Sequence, residues 1–183
     1  MTYLLPIFIY GFIFSTAFKV VDLIDEHKWL PWKKGFFIKY ISVIFVLYSI
    51  YGAVSISPLF IYYFVPIFIF WILKNKMEYP SHVLIMFIGA LLFGWYIKMT
   101  DIIPIIGITF IYFVLEYVVK KFQKNKYVDV ILYRSLWRYY IVPFFIGIYF
   151  NDMRIFLYVI PGLLSMLLIR KMIKKRVIQV ENP

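Results

Sequence analysis

Tyr40–Leu73 reads YISVIFVLYSIYGAVSISPLFIYYFVPIFIFWIL, 34 residues without a charged side chain. As one α-helix it would be roughly 50 Å long at ~1.5 Å per residue, against a hydrocarbon thickness of about 30 Å. Gly52, Ser55, Ser57 and Pro58 offer a break near its middle, since glycine and proline punctuate helices. The segment therefore reads as two membrane spans joined by a tight turn. Of the whole chain, 64% is hydrophobic and 23% aromatic, against about 45–50% apolar residues in soluble domains. A chain of 183 residues has no soluble interior large enough to hide that excess, and lipid removes the need for one.

Outward from this stretch, further apolar runs complete an all-α, polytopic transmembrane bundle of seven spans, near residues 3–25, 36–55, 58–74, 82–98, 102–120, 130–150 and 154–170. All belong to a single transmembrane domain covering 1–183, with no linker or soluble module. Met1–Ala17 lacks a positive n-region and a small-residue cleavage pattern, and reads as a retained first span. The runs for spans 4 and 5 are short, and a re-entrant pair around Met99–Pro104 is the alternative for them. The apolar runs do not alternate with period two, as barrel strands with a polar lumen would.

The basic residues orient this layout. Lys28, Lys33, Lys34, Lys74, Lys76, Lys120, Lys121, Lys124, Lys126, Arg170, Lys171, Lys174, Lys175 and Arg176 all fall in loops or tails on one side. Lys98 and Arg154 alone fall in the loops of the other. The positive-inside rule then places the N-terminus outside and the C-terminus in the cytoplasm of a multi-pass cell-membrane protein. The net charge of +11 is thus a topology signal and does not point to nucleic acid. The absence of cysteine excludes disulfides, thiolate metal sites and cysteine nucleophiles.

Ionisable residues inside spans are costly, and so point to function. Span 1 ends with Lys19, Asp22, Asp25 and Glu26, of which Lys19, Asp22 and Glu26 share a helix face. Lys39 opens span 2, Glu116 lies one turn before Lys120 in span 5, and Arg134 and Arg138 share a face of span 6. One reading has Glu116 and Arg138 pair to pin spans 5 and 6, with Asp22, Asp25 and Glu26 as a solvated helix end. The other joins them in a polar cavity open to the cytoplasm. There Lys19, Lys39, Glu116, Arg134 and Arg138 would line the substrate site, the arginines holding phosphate or carboxylate through their paired donors. Asp22, Asp25 and Glu26 would hold Mg²⁺, a hard cation that prefers carboxylate oxygen and bridges to phosphates.

His27 and His82 read as juxtamembrane, with Ser81 as the N-cap of span 4; without cysteine or a spaced partner they do not suggest zinc. Trp29, Trp32, Trp71 and Trp95 fall near span ends and read as interfacial anchors. Pro66, Pro143 and Pro161 lie inside apolar runs, as hinges or as prolines a membrane helix tolerates. Lys39-Tyr40 with Pro66 is weakly echoed by Arg138-Tyr139 with Pro161, a spacing in keeping with parallel repeats. No Gly-rich phosphate loop, Ser–His–Asp set or zinc-protease motif is present.

The stretch Phe18-Lys19-Val20-Val21-Asp22-Leu23-Ile24-Asp25-Glu26 resembles the first span of small, uncharacterised archaeal polytopic membrane proteins, which implies no activity. Its acidic cluster also resembles the first Asp-rich motif of UbiA-type prenyltransferases, which implies Mg²⁺-mediated binding of a prenyl diphosphate. The Asn that usually opens that motif is missing here, as is a second Asp-rich motif. The seven-span layout is similar to that of SWEET-type transporters in architecture alone.

Three functional expectations follow. The first is a cytoplasm-facing polar cavity that binds an anionic, phosphorylated lipid or isoprenoid, with Mg²⁺. The second is a small-solute transporter or channel, and the third a non-catalytic subunit of a membrane complex or a homo-oligomer.

Overall fold

The computed structural model of the chain describes residues 3–27, 30, 32–74, 78–122, 137–162 and 164, without the side chains of residues 26, 27, 32, 100, 122 and 137–140. Those residues form seven α-helices and no strand: α1 (Leu4–His27), α2 (Trp32–Ile56), α3 (Ile61–Leu73), α4 (Pro80–Gly94), α5 (Ile102–Phe122), α6 (Trp137–Tyr149) and α7 (154–162). Segments Leu4–Asp25, Lys33–Ile56 and Ile102–Lys121 are long and apolar enough to cross a membrane. α3 and α4 are apolar but shorter.

The break in the long uncharged stretch falls where Ser57 and Pro58 stand. α2 ends at Ile56, Ser57 is extended (φ −149°, ψ 114°), and Pro58 opens a 3-10 turn, Pro58–Phe60, that runs into α3. A proline at the start of a helix gives up a donor that would have had no partner there. α3 continues through Pro66, and α6 through Pro143, with both prolines buried. A second 3-10 turn, Met99–Asp101, connects α4 to α5, capped by the Asp101 carboxylate on the Lys98 backbone N–H (2.7 Å). Between α6 and α7 the chain reverses at Asn151, whose φ of 51° is the left-handed conformation asparagine tolerates.

α1 lies along α2, and α3 is enclosed by α4, α5 and α6. Aromatic rings knit the interior: Phe14 of α1 meets Phe64 of α3 (5.4 Å between centroids) and Tyr158 of α7 (5.9 Å), and Phe70 of α3 meets Tyr112 of α5 (5.7 Å). Where backbones approach most closely the residues are small. A Cβ on Gly11 would stand 1.8 Å from the Tyr158 carbonyl oxygen, and one on Gly162 would stand 2.1 Å from the Ser15 hydroxyl. Helices that cannot gain from expelling water into one another gain by close contact of this kind.

Large apolar side chains line the outside as well, among them Ile44 and Phe45 of α2, Phe87 and Leu91 of α4, and Ile103, Ile106 and Phe110 of α5. An exterior this greasy suits lipid and not water. Trp95, which follows the last residue of α4, is 90% exposed. Trp71 is placed differently from its sequence reading: it is half-buried, stacked on Phe18 (5.2 Å) and Phe68 (6.1 Å). Trp29 and the Trp32 side chain lie outside the described residues.

Candidate functional site

α1 ends, α2 begins, α3 ends and α4 begins at one end of the bundle, here called the basic end. Successive acidic residues on α1 turn to different neighbours there. Asp22 accepts from Lys19 one turn back (Nζ–Oδ2 3.3 Å) and lies 3.1 Å from Nε2 of His82 on α4. Asp25 accepts from Lys39 of α2 (2.9 Å) and from the Ser81 hydroxyl of α4. The carboxylates are mostly buried, with side-chain exposures of 16% for Asp22 and 7% for Asp25. A buried charge is tolerable when it is paired and hydrogen-bonded, and each of these is both.

Two expectations are corrected here. Asp22 and Asp25 are not a solvated helix end, because α4 closes over them. Ser81 is not the N-cap of its helix: Tyr79 occupies that position with Pro80 after it. Ser81 is thereby free to serve Asp25, and His82 is a buried group stacked on Phe18 (5.5 Å between centroids) with Tyr79 edge-on (5.6 Å). Sequence reasoning missed both residues as members of the site. The available signal was their place one turn into α4, at the depth of Asp22.

Glu116 forms a separate group on α5. Its Oε1 is 3.1 Å from Lys120 and 3.7 Å from Lys74 at the end of α3, while Oε2 is buried without a hydrogen-bond partner among the described residues. Lys74 also lies over the Phe113 ring (5.3 Å). The described ion pairing thus ties α5 to α3. Arg138 belongs to α6, which packs on α5, but its side chain lies outside the described set, as do the Glu26 side chain and the whole of Arg134.

The structure therefore brings Lys19, Asp22, Asp25 and Lys39 together, and sets Glu116 apart on the other side of α3. Among the described residues no three acidic or histidine side chains converge as metal ligands. The oxygens of Asp22 and Asp25 are engaged by ammonium, imidazole and hydroxyl groups, with which a hard cation would compete.

The opposite end has two polar ties. Tyr62 of α3 donates to Asp101 (2.5 Å) and stacks on Phe150 (4.3 Å). Asp152 accepts from Arg154 Nε (2.8 Å), and this guanidinium holds the Asp152 carboxyl below the usual carboxylate range although burial opposes it. Deeper in the bundle, Ser49 of α2 donates to the Tyr10 carbonyl of α1 and lies 3.1 Å from the fully buried Tyr158 hydroxyl of α7.

Comparison of the chain with protein-family models, curated proteins and solved structures finds no match. Its functional reading rests on its own residues.

Proposed function

We propose that the chain is a seven-span membrane protein, N-terminus outside and C-terminus cytoplasmic, that binds an anionic, phosphorylated lipid with its headgroup at the basic end. One observation carries the reading. At that end the carboxylates of Asp22, Asp25 and Glu116 turn into the bundle and are matched by lysine or histidine, while Lys33, Lys34, Lys120 and Lys121 stand exposed around them. The surface offered to the headgroup layer is therefore cationic, with Glu78 as the exposed exception among described residues. Each lysine near an anionic lipid surface contributes about 1 kcal/mol of attraction, which fades within a Debye length. Phosphate oxygens satisfy ammonium donors as carboxylates do, so the headgroup and Asp25 are chemically interchangeable partners for Lys39.

The test is lipid binding by the purified full chain, measured by native mass spectrometry and by thermal shift. Phosphatidic acid should bind and stabilise where phosphatidylcholine does not. A K33Q/K34Q variant should lose part of that preference while its lipid-free melting temperature holds. Equal binding of both lipids by the unaltered chain would end the proposal.

A further inference from the structure

Asp22, Asp25 and Glu116 each meet a cation inside the bundle, and Glu78 does not. It stands exposed just ahead of α4, and no cation among the described residues pairs with it. With Tyr79, Val83 and Phe87 it lines a surface hollow of about 480 Å³, whose only charged wall among the described residues it provides. Val83 and Phe87 also line a groove of about 400 Å³ between α3 and α4, so the two spaces run together. The groove is apolar, walled by Phe68 and Ile72 of α3 and by Ala90 and Phe93 of α4. From Val83 to Gly94 it extends about 16 Å at ~1.5 Å per residue, roughly half of a ~30 Å hydrocarbon core. Gly94 keeps its far end open, since a Cβ there would meet nothing within 4 Å.

We infer that the Glu78 hollow and the α3–α4 groove together bind a lipophilic amine, a single hydrocarbon chain with an ammonium head and no phosphate. Charge complementarity names the head. A cation that leaves bulk water for the membrane boundary needs a counter-charge, and Glu78 is the described carboxylate at the basic end whose oxygens no described cation holds. The Tyr79 ring lines the same hollow, and an ammonium is drawn to such a ring. The groove names the tail: its walls are apolar and it is about as long as one leaflet is deep. A fatty acid would set its carboxylate against Glu78, and a phospholipid would set its phosphate there, like charge against like. This site is separate from the lysines offered to a phosphorylated headgroup, and it stands or falls without that reading.

The probes are octadecylamine, which is an ammonium near pH ~7, the uncharged octadecanol, and octylamine as the short chain. The full chain in detergent is read by native mass spectrometry. The unaltered protein should hold octadecylamine roughly tenfold more tightly than octadecanol, the scale of one hydrogen bond to a charged group. It should prefer octadecylamine to octylamine by about tenfold or more, because each buried methylene adds to the binding. Glu78→Gln should erase the first preference and keep the second. Ala90→Phe, which fills the groove from an exposed position, should erase the second and keep the first; A90L serves if A90F does not fold. Gly107→Phe, at an open position in the α5–α6 groove, should keep both. An acid ahead of a helix also steadies the helix dipole. That role alone would lower the melting temperature of E78Q and leave its choice between amine and alcohol untouched, which would overturn the site. A chain-length preference that survives A90F or A90L, or is lost equally in G107F, would overturn it as well.

Discussion

Replacing Lys39 with methionine removes an ammonium while keeping most of the side-chain volume, and tests whether α2 is clamped to α1 by charge. In the native chain the Lys39 ammonium lies 2.9 Å from Asp25, with side-chain exposures of 14% and 7%. K39M leaves the Asp25 carboxylate nearly out of solvent with the Ser81 hydroxyl as its remaining described partner. Removing one member of a buried pair costs about 3–5 kcal/mol, because the other charge stays behind. Removing both is milder: in D25N/K39M the amide oxygen that replaces the carboxylate still accepts from Ser81, and the net cost falls to roughly 0–2 kcal/mol. For a chain of this size each kcal/mol moves the melting temperature by about 2–4 °C. K39M should therefore melt roughly 6–20 °C below the unaltered protein, with D25N/K39M recovering more than half of the loss. Heated aliquots in one detergent, read by the fluorescence of the monodisperse size-exclusion peak, give the apparent midpoints. If K39M melts within about 2 °C of the unaltered chain, less than 1 kcal/mol on this scale, or the double variant is worse than both singles, the clamp is wrong.

Two further perturbations address other parts of the bundle. Gly11→Ala places a methyl 1.8 Å from the Tyr158 carbonyl oxygen, whereas Gly107→Ala meets nothing within 4 Å. The first should lose about 1–3 kcal/mol through forced separation of α1 and α7, and the second should be neutral or gain up to ~1 kcal/mol of helix propensity, as paired thermal melts will show. Asp152→Asn reports on the opposite end. Because Arg154 lowers the folded-state value of the Asp152 carboxyl, its stabilisation is fully present above the unfolded value near ~4 and is lost as pH falls through the lowered folded one. The melting-temperature gap between unaltered and D152N protein should thus stay constant from about pH 7 to 5 and close below about pH 4; a gap that widens on acidification contradicts the pairing.

What could be read from the sequence was position along each helix, and what could not was rotation about it. The break at Ser57-Pro58 was legible because no uncharged stretch of that length fits a bilayer as one helix. The positions of Asp22, Lys39 and Glu116 along their helices were legible for the same reason, since rise per residue converts numbering into distance. Which neighbour each side chain meets depends on which face packs on which helix. Tyr, Phe and Ile occupy almost every face here, so no clear apolar stripe marks the inside. One of the two readings set Glu116 on Arg138, whose side chain lies outside the described residues; the described partners of Glu116 are Lys74 from α3 and Lys120 one turn along α5. The Gly11–Tyr158 approach between α1 and α7 left no sequence signal beyond a small residue in each helix.

The same limit explains how Ser81 and His82 escaped notice. Read along the chain, they resemble the start of a helix, where serine caps and histidine is often solvated. Pro80 changes this by taking the first helical position itself, which moves the cap to Tyr79 and turns Ser81 inward. Once inward, a hydroxyl and an imidazole on successive residues reach two carboxylates three apart on α1. The clamp on α4 thus follows from one proline's missing donor. It also has a consequence for binding. Lys19 and Lys39 are the described cations that Asp22 and Asp25 hold in the bundle, so a phosphate that captured either lysine would leave a carboxylate to His82 or Ser81 alone. If the proposed lipid binds at this end, its affinity and the attachment of α4 to α1 are coupled: variants that loosen Ser81 or His82 should then change lipid affinity although neither residue carries one of the ammonium groups offered to the headgroup.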